Sequence, residues 1–188
     1  MTRMVLLGPP GAGKGTQAAR ICERLSIPAI STGDIFRANV SRGTGLGERA
    51  RQYMDRGEYV PDSVTNAMVA DRLTEADAAQ GFLLDGYPRT EAQVHELDAM
   101  LADSGLALDV VLEITADAEV VVDRLLRRAT EQNRADDTEP VIRRRLEVYA
   151  EATAPLASLY EDRGLLVRVD GTGDVDEVTE RIMTALAS

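Results

Sequence analysis

The sequence predicts an α/β fold, a parallel sheet doubly wound by helices on both faces. Three observations carry this expectation. Apolar, β-rich runs recur at 4–7, 27–30, 82–84, 110–114 and 165–169. Helical-period sequence separates each run from the next, the pattern of successive βαβ units. The first run feeds a glycine-rich loop, "GPPGAGKGT" at 8–16, that opens an amphipathic helix. The chain has 188 residues and no Pro/Ser-rich linker, repeat or low-complexity tract, so it reads as one domain, 1–188, somewhat above the usual size of about 100–150 residues.

The elements follow in order. After the strand at 4–7, a helix is expected at 14–25, then a strand at 27–30. The interval 31–60 breaks the alternation: it is helical at 34–40 and 46–56, punctuated by glycine, and looks inserted. A helix at 62–73, the strand at 82–84, a helix at 91–103 and the strand at 110–114 restore the pattern. A helix at 118–128 leads into a second inserted interval, polar and charged, at 127–138. A long helix at 139–160, the strand at 165–169 and a helix at 175–187 complete the chain. Insertions projecting from the carboxyl edge of a parallel sheet are suited to act as flaps over a ligand.

Composition narrows the function classes. The formal net charge is −11, and the field of such a chain repels nucleic acid and anionic membranes, so any anionic ligand must be held by a local basic cluster. Cys22 is the only cysteine, which excludes an internal disulfide and leaves an inert helix-core thiol. The N-terminal apolar run is too short for a signal peptide, and no stretch approaches the roughly 20 residues of a membrane span. A soluble protein of the reducing cytoplasm is expected.

Lys14 is the only lysine beside 20 arginines. It lies between Gly13 and Gly15 in the order strand, glycine loop, helix that a Walker A phosphate loop requires. Glycines let successive amides converge on phosphate oxygens at a helix N-terminus. Lysine is a compact, flexible charge that can follow a moving phosphoryl group, which planar arginine does poorly. The strict motif has Ser or Thr directly after the lysine, whereas here Gly15 precedes Thr16, so magnesium is expected to be held mainly by phosphates and water. Asp85 ends the run "GFLLDGYPR" and suits orientation of magnesium-bound water. No acidic residue follows it, unlike the water-activating arrangement of many P-loop ATPases.

Seven arginines lie between Arg124 and Arg145, and Arg37 and Arg89 end the motifs "STGDIFR" and "DGYPR". Several fixed cations along a reaction line favour transfer of a phosphoryl group between two polyanions over hydrolysis by a switch. Arg143, four residues from Glu139 and Glu147, and Arg127, four after Asp123, read as solvated ion pairs. Arg124 and Arg128 share a helical face, and Arg145 flanks the apolar stripe Ile142, Leu146, Tyr149. His95 falls on the polar face with Glu91.

These motifs, with "GFLLDGYPRTEAQ", "VVDRLLRR", "RADD" and "RVDGTG", resemble in order and spacing the nucleoside monophosphate kinases, most closely the short-lid bacterial type of adenylate kinase. The resemblance covers nearly the whole chain. It implies Mg2+-dependent ATP + AMP ⇌ 2 ADP, a five-stranded parallel P-loop kinase core, an AMP-binding flap at 31–60, a short lid at 128–138 without zinc cysteines, and a monomer. By it, Lys14 and the loop Gly11, Ala12, Gly13, Gly15 and Thr16 hold the donor phosphates, Arg124 lies against the donor adenine, and Gly173 also binds ATP. Arg37 and Arg89 hold the AMP phosphate, and Arg128, Arg134 and Arg145 neutralise the transferring group. Thr32 and Gln93 read the AMP base, Met54 and Val60 wall it, and Gly33, Glu58 and Gly86 line the same pocket. Thr32 could instead cap the following helix, and Thr90-x-x-Gln93 is a capping-box pattern that would occupy the Gln93 amide. Arg127 stands where relatives often have glycine, which leaves open whether Arg127 or Arg128 reaches the phosphates. UMP/CMP kinase and a nucleotide-dependent switch or hydrolase are the alternatives.

Overall fold

The computed structural model of the chain describes residues 2–131 and 138–187. Five strands, β1 (Arg3–Leu7), β2 (Ala29–Ser31), β3 (Phe82–Asp85), β4 (Val110–Thr115) and β5 (Leu166–Asp170), form one parallel sheet in the order β2-β3-β1-β4-β5. The chain runs from β1 outward to β2, returns to β3, then crosses to β4 on the other side of β1. The carboxyl end of β1 therefore lies where the winding reverses, the place at which a crevice opens above a parallel sheet.

Nine α-helices are described: α1 (Lys14–Leu25), α2 (Thr32–Arg42), α3 (Gly45–Met54), α4 (Asp62–Leu73), α5 (Glu91–Asp103), α6 (Ala118–Glu131), α7 (Glu139–Val148), α8 (Leu156–Asp162) and α9 (Val175–Leu186). Side chains alternate across a strand, so β1 is apolar without interruption because both its faces are covered. Met4 and Leu6 enter a core with Ile21, Leu83, Leu112 and Ile182, under α1 and α9. Val5 and Leu7 enter the other with Leu84, Leu97, Val111 and Tyr160, under α5 and α8. The segment holding α2 and α3 has a small core of its own around Phe36, Ala50 and Val60. Val121 and Leu125 of α6 pack against Ile142 of α7.

Three expectations are corrected. The second strand begins at Ala29 rather than 27, because the Ile27 amide donates to the Cys22 carbonyl at the end of α1 and Pro28 has no amide to give. The first flap helix begins at Thr32 rather than 34, with Ser31 as its cap. The expected helix at 139–160 is broken: a π turn spans Tyr149–Thr153, and the Ala154 amide donates to the Tyr149 carbonyl five residues back. α8 then starts after Pro155, whose missing amide is tolerated at a helix start. Arg134 and most of the interval 128–138 lie outside the described residues. Among the described residues no helix is long and apolar enough to cross a membrane.

Leu84 is fully buried between two strands and α5. Leu84→Ala should cost about 2–5 kcal/mol of stability, read as a lower urea midpoint with an unchanged slope; a loss under 1 kcal/mol would mean that the site collapses to fill the void.

Candidate active site

The site begins with what the glycine loop does to the backbone. Gly11 and Gly13 adopt φ of +83° and +91°, and a Cβ on Gly11 would lie 2.9 Å from the Val121 carbonyl oxygen. Gly13 caps α1 with no side chain, so the helix N-terminus presents backbone amides and a positive dipole end to the crevice. The Lys14 ammonium folds over this loop and donates to the Gly8 carbonyl at 2.7 Å and the Pro9 carbonyl at 3.0 Å. Burial is the main cause that lowers its pKa from 10.5 to about 8; Arg89 and Arg128 push it the same way, and Asp85 opposes them. An ammonium held with too little compensating charge is poised for an anion.

The other end of the crevice is built around Thr32, Gly86 and Arg89. Ser31, not Thr32, caps α2 by accepting from the Asp34 amide, which leaves the Thr32 hydroxyl to donate to the Gly86 carbonyl at 2.9 Å. Thr32 is buried, so the capping alternative is excluded. Gly86 has φ +84°, and a Cβ there would sit 2.9 Å from an Arg89 guanidinium nitrogen and 2.7 Å from the Thr32 hydroxyl; only glycine lets Arg89 lie across this turn. Arg37 turns to Asp34 at 2.6 Å, with its guanidinium over Gly33.

Gln93 is buried and held at both ends of its amide. Its Oε1 accepts from the Arg89 amide at 2.7 Å and its Nε2 donates to Asp62 Oδ1 at 2.7 Å. Thr90 does cap α5, accepting from the Gln93 amide hydrogen and donating to Asp62 Oδ2. The capping box is thus half made, because the Gln93 side chain reaches past Thr90 to Arg89. Asp62 went unnoticed in the sequence, since its partners lie 28 and 31 residues away and no local pattern marks it.

The arginines divide by exposure. Arg124 donates to the Gly171 carbonyl at 3.4 Å. Arg127 pairs with Asp123 at 3.2 Å and is 75% exposed, whereas Arg128 is half-buried and close enough to Lys14 to disfavour its charge. Both arginines line the cavity, and Arg128 is the one near enough to Lys14 to act on it. Arg143 pairs with Glu139 at 2.7 Å; its expected second partner, Glu147, is taken by Arg144 at 3.2 Å, which the three-residue offset favours. Arg145 is half-buried. His95 is 65% exposed beside Glu91.

One cavity of about 740 Å3 is lined by every expected site residue from Gly11 to Gly173 other than Arg134, which lies outside the described residues. Asp85 lies in it within electrostatic reach of Lys14. Tyr59, Thr153 and Val175 also line it and carried no sequence signal; Tyr149 of the apolar stripe and Gly171 of "RVDGTG" line it too. Among the described residues there is no group of three or more His, Cys, Asp or Glu suited to a metal ion.

Comparison with known proteins agrees with this geometry. A family model described as Adenylate kinase matches residues 6–165. The chain is 66% identical over 186 residues to an adenylate kinase of Kocuria rhizophila, covering 99% of each chain. It is 63% identical to one of Thermobifida fusca, covering 99% of this chain and 98% of the other, and 61% identical to one of Pseudarthrobacter chlorophenolicus, at 99% and 97%.

With one lysine, the ammonium can be watched directly. Reductive 13C-methylation followed by NMR should give one lysine signal titrating near 8 rather than 10.5. Asp85→Asn should move the midpoint lower still, since it removes the charge that favours the ammonium; a midpoint above 10 in the unaltered protein would refute the buried placement.

Proposed function

The chain belongs to the adenylate kinase family, and we propose from this that it catalyses ATP + AMP ⇌ 2 ADP in the cavity above β1. The observation that carries the assignment of residues is the convergence of Lys14, Arg37, Arg89, Arg128 and Arg145 on one cavity with a phosphate loop at one end. Such a site binds two polyanions end to end.

The donor phosphates rest on the amides of Gly11–Thr16 and on Lys14, with adenine against Arg124 and Gly173. AMP lies at the other end. Arg89 and Arg37 take its phosphate, Arg37 exchanging Asp34 for the ligand. Thr32, Gly33, Glu58, Gly86 and Gln93 surround the base, between Met54 and Val60. Arg128, Arg134 and Arg145 spread over the oxygens of the phosphoryl group in flight, where charge neutralisation and in-line positioning supply the catalysis. Magnesium arrives with ATP as part of the substrate, where it neutralises phosphate charge. The residue that would hold it is Asp85, through water, and its carboxylate beside Lys14 fits that task. The 31–60 segment and the 128–138 interval serve as AMP flap and lid, and their closure excludes water. The protein acts as a monomer in the cytoplasm on ATP, AMP and ADP, binding neither nucleic acid nor membrane.

Coupled ADP assays with AMP, CMP and UMP should give fast turnover with AMP alone. A faster pyrimidine monophosphate would make it a UMP/CMP kinase, and steady phosphate release without acceptor a hydrolase. Arg145→Ala should lower kcat at least about a hundredfold while leaving the melting temperature nearly unchanged, and lysine should not restore it. ATP binding, by raising the Lys14 pKa, should take up protons at pH 8 and none at pH 6, where the ammonium is already formed; calorimetry in buffers of different ionisation enthalpy reads this directly.

A further inference from the structure

Arg89 is held at its amide, its carbonyl and its guanidinium. Its amide donates to Gln93 at 2.7 Å, and its carbonyl accepts from the Thr153 hydroxyl at 2.8 Å. Its guanidinium carbon lies 4.9 Å from the centre of the Tyr59 ring. The Tyr59 and Thr153 hydroxyls are 2.6 Å apart. Since a carbonyl cannot donate, Thr153 must spend its one proton on Arg89, and the bond between the hydroxyls must run from Tyr59 to Thr153. Tyr59 thus reaches Arg89 twice, through its ring face and through a directed relay Tyr59→Thr153→Arg89 carbonyl.

The placement suits an anion-binding arginine. The Tyr59 ring face attracts the guanidinium through its π electrons and brings no anionic oxygen of its own to compete with a phosphate for the guanidinium's donors. Thr153 is buried and ends the π turn Tyr149–Thr153, a departure from α geometry of the kind often found beside functional sites. Tyr59 is in the loop between α3 and α4, Arg89 follows β3 and Thr153 precedes α8, so the cluster joins three parts of the chain.

We propose that Tyr59 is a positioning residue for Arg89, holding the guanidinium in the orientation that receives the acceptor phosphate. This rests on the assignment of Arg89 to that phosphate. AMP affinity, followed by NMR titration to reach the millimolar range, tests it in the full chain without ATP. Tyr59→Phe keeps the ring and breaks the relay, and should weaken AMP about three- to fivefold; Thr153→Val should do the same. Tyr59→Leu removes both contacts and should weaken it about tenfold. ATP affinity should be unchanged in all three. In an Arg89→Ala background, which itself should bind AMP far more weakly, Tyr59→Leu should add less than a factor of two, because the residue it acts through is gone. A merely structural role would lower AMP affinity by the same factor in both backgrounds, or lower ATP affinity in parallel, and either result overturns the proposal, as does unaltered AMP binding in Tyr59→Leu. If Arg89→Ala binds AMP normally, the acceptor assignment falls and the inference with it. Should Tyr59→Leu fail to fold, the isosteric Tyr59→Phe decides: normal AMP affinity in it and in Thr153→Val overturns the relay.

Discussion

The organising constraint is a half-buried ammonium held over the end of a parallel strand. Lys14 is bonded to two carbonyls of its own loop, and burial together with Arg89 and Arg128 works against its charge while Asp85 works for it. A site that must bind polyphosphate cannot fill this space with compensating carboxylates, because they would repel the substrate. The cost is carried by the rest of the fold, whose two apolar layers cover the sheet that positions the loop. The chain as a whole is acidic at −11, so the basic cluster is local and its field falls off quickly beyond the cavity.

Holding the Arg89 guanidinium near other cations is a second difficulty, and backbone and neutral polar groups meet it there. Gly86 clears room for Arg89, Gln93 and Thr153 grip its amide and carbonyl, and its guanidinium carbon lies over the Tyr59 ring. None of these contacts adds a negative charge in front of the guanidinium. Asp62, which does carry charge, is placed behind Gln93 and Thr90. Arg37 is the contrast: its partner Asp34 is one turn away on the same helix, and an ion pair of that kind contributes only a few tenths of a kcal/mol, so a phosphate can displace it readily.

Local, short-period information was legible in the chain. The phosphate loop, the five strands and most helix positions are encoded within windows of a few residues, by apolar periodicity and by glycine where φ must be positive. The exposed pairs Arg127–Asp123 and Arg143–Glu139 follow from helical spacing alone. Arg144 taking Glu147 from Arg143 does not, because offsets of three and four compete and side-chain directions choose between them. The break in the helix at Tyr149–Thr153 left no comparable trace: Thr153 at its end bonds to Arg89 and Tyr59, which lie far away in sequence.

By itself, then, the sequence determined the sheet-and-helix alternation, the place of the anion-binding loop and the identity of the cations, since each depends on residue type at short spacing. Only the tertiary structure decided which hydroxyl caps α2 and which faces the cavity, that Gln93 is clamped by Asp62, that Arg128 rather than Arg127 lies beside the loop, and that Tyr59 and Thr153 converge on Arg89. Those outcomes depend on the packing of segments 31 or more residues apart, where the cost of bringing chain together is repaid by burial across the whole domain and leaves no periodic trace at the residues concerned.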